Sequence, residues 1–328
     1  MRAVYIKEFG GPENLEIRDV PEPREPKGNE VLVKVHAAGV NRADLLQVRG
    51  HYPPPAGYSP NIPGMEFAGE VAVTGSDAGS WSPGDRVFAI TAGEAQAEFL
   101  VSDSRLLVPI PEDLSFTEAA AVPEVFITAH DACFTQCELQ QNETLLIHAV
   151  GSGVGLAGLQ LAKANGSTVI GTSRTAEKLE RCKEFGLDLG IATGDGIDFA
   201  AQVMEFTEGK GVDVVLDLVG SAYLEQNLAS LATKGRLILV GLTSGSKAEF
   251  DLGVALRKRA RIIGTMLRGR SSDEKAGATR KFVDDVVPLL ALRKVRPNID
   301  RIFPVEDVIA AYKYLGSNES FGKVVLEF

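Results

Sequence analysis

The sequence predicts an α/β protein in which a β-rich part precedes a doubly wound parallel sheet. Three observations carry this. Thr144–Gly158 reads as a short buried strand, a glycine turn and a helix running to about Lys163. Between about residues 123 and 265, six apolar runs alternate with helical patterns, the mark of a parallel sheet covered on both faces. Before about residue 120 the candidate strands are short, and Gly/Pro turns separate them.

In the front part, the alternation of Val31-Leu32-Val33-Lys34-Val35-His36 predicts a half-buried strand. Similar strands are expected near 66–73, 86–90 and 97–101. Pro53-Pro54-Pro55, Ile62-Pro63-Gly64 and Ser82-Pro83-Gly84-Asp85 supply turns. The second part is expected to hold strands at Leu145–His148, Thr168–Thr172, Leu189–Ala192, Val212–Val219, Arg236–Val240 and Arg261–Gly264, with helices between them. The tail predicts one helix over 273–293, a Pro304–Leu315 segment and a closing strand at Lys323–Phe328. Acids in Val305-Glu306-Asp307 suit the first turn of a helix through Val308-Ile309-Ala310-Ala311-Tyr312.

Composition narrows the class. A chain of 328 residues is long enough for two domains with sizeable cores. A net charge of −10 and a pI of 5.1 argue against a nucleic-acid surface. Three cysteines, none at CxxC spacing, suit a reducing compartment better than a disulfide framework. Cys133 and Cys137 stand one helical turn apart, and no nearby His or Cys completes the four ligands zinc wants. Met1–Lys7 is too polar for a signal peptide, and no apolar run reaches bilayer length. A cytoplasmic protein with no membrane contact is the expectation.

A helix N-terminus directly after a buried strand attracts anions through its free N–H groups and its dipole. Gly153-x-Gly155-x-x-Gly158 in that setting predicts a dinucleotide site. The competing reading is that these glycines only let the helix pack closely on the sheet. The next strand end distinguishes the nicotinamide cofactors. Gly171-Thr172-Ser173-Arg174-Thr175-Ala176-Glu177-Lys178 lacks the acid that would hold a free ribose 2′-OH. Ser173, Arg174 and Lys178 would attract a 2′-phosphate, which predicts NADPH over NADH. The alternative is that Arg174 and Lys178 are solvated charges at a helix start.

The chain also resembles the medium-chain dehydrogenase/reductases, and more closely the zinc-free NADPH:quinone oxidoreductases of the zeta-crystallin group. The motifs run along nearly the whole length: Gly10-Gly11-Pro12-Glu13, Gly39-Val40-Asn41-Arg42-Ala43-Asp44, Pro63-Gly64-Met65-Glu66-Phe67-Ala68-Gly69, Gly84-Asp85-Arg86-Val87, Ala119-Ala120-Ala121-Val122-Pro123, the Ile147–Gly155 turn and Gly322-Lys323-Val324-Val325-Leu326. Asn41-Arg42-Ala43-Asp44, Tyr52 before its prolines and Ser152 resemble the tumour-suppressor-inducible branch of that group. The resemblance implies a GroES-like catalytic domain over 1–122 and 268–328, and a Rossmann NADPH-binding domain over 123–267. Zinc members of the superfamily carry Cys where Asn41 stands and His-Glu where this chain has Met65-Glu66, so the resemblance implies no metal.

It implies roles for residues as well. Asn41 would lie beside the nicotinamide and bond its ribose or the substrate carbonyl. Tyr52 would wall the cleft and donate to a developing oxyanion. Thr128 would touch the nicotinamide side, and Ser152, Gly153 and Val154 the pyrophosphate. Thr172, Ser173, Arg174 and Lys178 would surround the adenosine ribose. Val219, Leu242, Thr243, Thr265 and Leu267 would line the track between. Plainer readings stand beside these: Asn41 as a turn former, Tyr52 as a packing residue, Thr265 as a strand hydroxyl. Relatives often place a Tyr after the third strand to cradle the 2′-phosphate, where this chain has Thr193.

The implied activity is reduction of a quinone or other electrophilic carbonyl by NADPH. The alternatives are an alkenal, enone or enoyl-thioester reductase, and a non-catalytic NADPH-binding protein. A methyltransferase fits poorly with the β-rich front part and the missing acid. Relatives pair through the edge strand, here Ala260–Gly264, which implies a homodimer.

Overall fold

The computed structural model describes residues 1–194 and 198–328. Its strands are β1 (Arg2–Ile6), β2 (Leu15–Asp19), β3 (Glu30–Val40), β4 (Glu66–Thr74), β5 (Arg86–Ile90), β6 (Phe99–Asp103), β7 (Val108–Pro109), β8 (Thr144–Ile147), β9 (Thr168–Ser173), β10 (Leu189–Ala192), β11 (Val212–Asp217), β12 (Leu231–Leu239), β13 (Arg261–Gly264), β14 (Ile299–Pro304) and β15 (Lys323–Glu327). Its α-helices are α1 (Arg42–Val48), α2 (Phe116–Ala120), α3 (Pro123–His130), α4 (Gly153–Ala164), α5 (Ala176–Cys182), α6 (Ala200–Phe206), α7 (Leu224–Ser230), α8 (Leu252–Lys258), α9 (Ser272–Asp285), α10 (Val287–Ala291) and α11 (Val308–Ser317). One compact unit comprises Met1–Ile127 with Leu267–Phe328, and the other Thr128–Met266.

The first unit is built on a seven-stranded sheet in the order β14-β15-β3-β4-β5-β7, with β6 also on β3. β14 and β15 run parallel and the other pairs antiparallel. In β3, Val31, Val33 and Val35 are buried and Lys34 is exposed, the expected period of two. Past His36 the alternation stops, and Ala37, Ala38, Gly39 and Val40 are all buried. That covered end of β3 carries the chain inward to Asn41. One core cluster packs α11 residues Val308, Ala311, Tyr312 and Leu315 against Val4, Val324 and Leu326.

The second unit is a six-stranded, wholly parallel sheet in the order β10-β9-β8-β11-β12-β13. Strand order reverses between β8 and β11, the position where doubly wound sheets open a crevice at their C-terminal ends. Leu146, Ile170, Val215 and Leu237 sit in its buried core. α4 packs closely because Gly158 faces Leu216: a Cβ there would come 3.1 Å from Leu216 Cδ2.

Three elements differ from expectation. The helix expected over 273–293 is two helices, α9 and α10, because Pro288 lacks an N–H and its ring obstructs the carbonyl four residues back. The strand expected at Arg236–Val240 begins at Leu231, and its partner register jumps from Leu231 to Arg236 through an irregular stretch where Lys234 has φ +66°. Asp131–Gln136 forms a π-helix rather than an α-helical turn, with Cys133 inside it and Cys137 at its end. Burial raises both thiols, Cys137 to about 12, which keeps them inert. Among the described residues, no helix is long and apolar enough to cross a membrane.

Candidate active site

The first unit encloses an ionic cluster around Asn41. β3 ends at Val40 and α1 begins at Arg42, so Asn41 is the N-cap of α1. Its backbone N–H donates to Asp44 Oδ2 at 2.8 Å, and Gly64 N–H donates to Asp44 Oδ1 at 3.1 Å. The Asn41 amide joins two further elements: Nδ2 donates to Glu66 Oε1 at 2.8 Å, and Lys323 Nζ donates to Asn41 Oδ1 at 2.7 Å. Lys323 Nζ also reaches Glu66 Oε1 at 2.5 Å. Glu66 Oε2 accepts the backbone N–H of Glu124, in the first turn of α3, at 2.8 Å. Glu66 fits because residue 39 is glycine; a Cβ there would run into its carboxylate.

Arg268 holds the neighbouring corner. It donates to Gln47 Oε1 at 2.5 Å, to Ala92 O at 2.7 Å and to Tyr52 O at 2.9 Å. Its guanidinium lies 5.1 Å from the Tyr52 ring centroid, a cation–π contact. Burial raises the Tyr52 phenol above its ordinary value, and the Glu124 charge adds to that. Burial pushes Asp44 up to about 6 despite the two N–H groups it accepts. Glu124 is half-buried, and burial and then the Glu66 carboxylate push its carboxyl up to about 8.

Asn41 and Tyr52 both belong to this unit, as does Leu267, which is buried. The amide of Asn41 keeps one N–H and one lone pair beyond the bonds above. The donor set does not fit zinc. Asn41 Oδ1 and Glu66 Oε1 already take an ammonium ion, Glu66 Oε2 takes an N–H, and neither a thiolate nor an imidazole stands among them.

The other site residues belong to the second unit, and most stand at the C-terminal ends of its parallel strands. Ser152, Gly153 and Val154 follow β8, and Thr172 and Ser173 end β9 with Arg174 just beyond. Val219 follows β11, Leu242 and Thr243 follow β12, and Thr265 follows β13. Ser152 caps α4, its Oγ accepting Gly155 N–H at 3.2 Å, which leaves the hydroxyl proton to donate outward. Gly155 is required for the turn: a Cβ would come 2.6 Å from both Ala149 O and Val150 O. Ser173 is nearly buried, Arg174 is exposed and Lys178, in α5, is half-buried. Leu242 is exposed, and Thr243 Oγ1 donates to Leu218 O at 3.3 Å. Thr128 carries a buried Oγ1 without a hydrogen-bond partner among the described residues. A buried orphan hydroxyl, a turn that admits only glycine and a capped helix start together fit a bound dinucleotide.

Beneath these strand ends runs a buried polar chain. His148 Nε2 lies 2.5 Å from Asn227 Oδ1, and Nδ1 lies 2.8 Å from Thr172 Oγ1. Asn227 Nδ2 donates to Asp217 Oδ2 at 3.0 Å, so its oxygen faces the ring. His148 therefore carries its proton on Nε2 and accepts from the Thr172 hydroxyl. Burial lowers the imidazole to about 4. Tyr223 OH donates to Thr193 Oγ1 at 3.1 Å, and Thr193 N–H donates to Ser173 O at 2.9 Å. Thr172 and Thr193 thus hold the end of β9 from below.

Sequence reasoning placed Asn41 and passed over its partners as site residues: Asp44, Glu66, Glu124, Arg268 and Lys323. Their signal was a charge set inside apolar runs, as in Met65-Glu66-Phe67, Val122-Pro123-Glu124-Val125-Phe126 and Gly322-Lys323-Val324-Val325.

Comparison with known proteins agrees with both units. Residues 27–124 match the alcohol dehydrogenase GroES-like domain, and residues 153–284 match the zinc-binding dehydrogenase domain. The chain is 30% identical to a quinone oxidoreductase of Homo sapiens over 99% of its own length and 97% of that protein's. It is similar to the structure of a mycobacterial protein complexed with NADPH, at TM-score 0.88 and 30% identity, with 100% of both chains covered. The CurK enoyl reductase structure is similar too, at TM-score 0.87 and 26% identity, covering 99% of this chain and 98% of that one.

Proposed function

The chain belongs to the medium-chain dehydrogenase/reductase family, among the quinone oxidoreductases and their relatives, and on that premise we propose that it is an NADPH-dependent, metal-independent quinone reductase. The observation that carries this reading is the Lys323 ammonium bonded to Asn41 and Glu66. Alcohol oxidation needs a Lewis acid or base to handle an alkoxide. A quinone is already electrophilic, and its reduced anion is stabilised by aromaticity. The protein then has to align the reactants, exclude water and supply hydrogen-bond donors at the substrate oxygen.

The dinucleotide supplies hydride from its nicotinamide. In the second unit, the N–H groups at the start of α4 and the Ser152 hydroxyl would hold its pyrophosphate, and the Thr128 hydroxyl would bond its nicotinamide side. Ser173, Arg174 and Lys178 favour a 2′-phosphate, since no acid stands at the β9 end to repel it. In the first unit, Tyr52 offers an aromatic wall for a planar substrate, and the free N–H of Asn41 offers a bond to the substrate oxygen or the ribose.

A substrate panel tests this. NADPH and NADH are each offered with an ortho-quinone, an α,β-unsaturated ketone and an enoyl-CoA. We expect NADPH oxidation with the quinone at the highest kcat/KM. Arg174→Ala with Lys178→Ala should weaken NADPH binding by roughly tenfold or more, read by nicotinamide fluorescence, and leave NADH binding in place. Equal use of the two cofactors would sink the NADPH assignment. The second reading, an enone or enoyl-thioester reductase, has support from the likeness to the CurK enzyme and from the Glu124 carboxyl whose charge acts on Tyr52. Turnover of enoyl-CoA or the enone in preference to quinone would establish it. We propose a cytoplasmic protein and, separately, a homodimer, which the edge strand β13 supports: its Ile262 is exposed, and pairing two copies there would cover it. Size-exclusion chromatography giving only monomer would remove the dimer.

A further inference from the structure

We propose that Glu124 is the proton donor of the reaction, the group that hydrogen-bonds the substrate oxygen as hydride arrives and passes it a proton. The inference rests on the reductase reading above.

The geometry singles this residue out. Asp44, Glu66, Lys323 and Arg268 are each occupied. Asp44 accepts two backbone N–H groups. Glu66 accepts from Asn41, Lys323 and the Glu124 backbone. Lys323 donates to Glu66, Asn41 and Val40 O. Arg268 is held by Gln47, Ala92 O and Tyr52 O. Glu124 is anchored through its main chain, yet among the described residues no hydrogen bond or ion pair engages its carboxyl. It is a carboxyl on a rigid helix start, half-buried and left over from the pairing.

The charge balance gives it a proton. Glu66 on β4 and Asp44 on α1 face it with negative charge. Lys323 on β15, Arg268 before α9 and Lys275 on α9 act on it with positive charge, and its own charge raises the Tyr52 phenol. Lys323 and Arg268 are committed elsewhere, and burial lowers Lys275. Its own burial and the Glu66 carboxylate both oppose ionisation, so the carboxyl that no partner holds is most stable as the neutral acid. Its value near 8 leaves it protonated at neutral pH and matched to donation there. The Tyr52 phenol, raised by burial, is the weaker acid, so Tyr52 serves as the wall and Glu124 as the acid.

The step balances. Hydride, with its electron pair, comes from the reduced nicotinamide dinucleotide and leaves an oxyanion on the quinone. The Glu124 O–H bond breaks, its proton forms the hydroquinone O–H bond, and the resulting carboxylate regains a proton from water.

The test compares the wild type with Glu124→Gln and Glu124→Asp, using NADPH and whichever quinone or enone the wild type turns over best. We expect wild-type kcat/KM to fall as pH rises through about 8, because the protonated form is the active one. E124Q should lose that limb and drop kcat by about a hundredfold or more, with NADPH binding by fluorescence unchanged. E124D should restore part of the rate and the limb. A solvent deuterium isotope effect present in the wild type should vanish in E124Q. Wild-type kcat and pH profile in a folded E124Q would overturn the proposal while leaving the reductase reading standing. A wild type without the alkaline limb would overturn it without any variant. A wild type that oxidises NADPH with no quinone or enone would sink both.

Discussion

The two units each bury a polar network, and the networks are built on opposite electrical plans. Around Asn41 the first unit gathers ionisable groups: the carboxyls of Asp44, Glu66 and Glu124 with the Lys323 ammonium and the Arg268 guanidinium. Under the β8 and β9 ends, the His148 ring is buried neutral and bonded at both nitrogens, between Thr172 and Asn227. A saturated neutral ring fixes backbone. It holds the strand ends where a dinucleotide would lie, and nothing in it is poised to exchange a proton near neutral pH. A charged cluster with one unmatched carboxyl holds a proton loosely enough to give it away. On the proposed reading, the difference separates holding a cofactor from doing chemistry on a substrate.

The contrast can be broken most severely at Lys323. Lys323→Met leaves the Glu66 carboxylate buried without its cation, and should cost about 3 to 5 kcal/mol in urea unfolding. Pairing it with Glu66→Gln should recover most of that loss. A lone K323M protein as stable as the wild type would mean the cluster is not held by charge.

Next in size is the pH response, where the two networks should move in opposite directions. His148 sits near 4 in the fold against about 6.5 unfolded, so the unfolded chain binds more protons between those values. From His148 alone the second unit should therefore lose up to about 3 kcal/mol as pH falls from 6.5 to 4, offset in part by Asp217, whose carboxyl burial raises. Glu124 near 8 and Asp44 near 6 stand above their unfolded values of about 4, so there the folded chain binds more protons. The first unit should weaken as pH rises from about 4 to 8. Hydrogen exchange at pH 5 and pH 8, read separately for β8–β11 and for β3–β4, checks both directions. Parallel behaviour of the two units would remove the distinction.

The smallest effect is expected at Ser152. Ser152→Ala deletes the α4 cap and should cost about 1 kcal/mol of stability, with weaker binding of ADP as the accompanying change. Unchanged ADP affinity by calorimetry would reduce Ser152 to a cap alone.

Much of the second unit was legible in the chain. Leu189–Ala192 and Arg261–Gly264 fall where the apolar runs placed them, and the glycine turn is followed by α4 as read. Central parallel strands are apolar throughout and glycine turns are local, so few contacts beyond the segment are needed to recognise them. The break between α9 and α10 was written in Pro288, and the irregular start of β12 had only Gly235 to announce it. The ionic cluster was a different case. Asn41 and Lys323 lie 282 positions apart, and Glu66 and Lys323 lie 257 apart. A charge inside an apolar run says that it is buried and does not say with what.

The sequence by itself determined the fold class, the strand–turn–helix that suits an anion and the lack of an acid at the β9 end, because each follows from residues within one or two turns of one another. Only the tertiary structure decided that Lys323 pairs with Glu66, that Thr172 faces His148 and that the Glu124 carboxyl finds no partner among the described residues. Those outcomes depend on which distant charges meet in a medium of low polarity. There, pairing energies and desolvation costs run to several kcal/mol and reverse what each residue does in water.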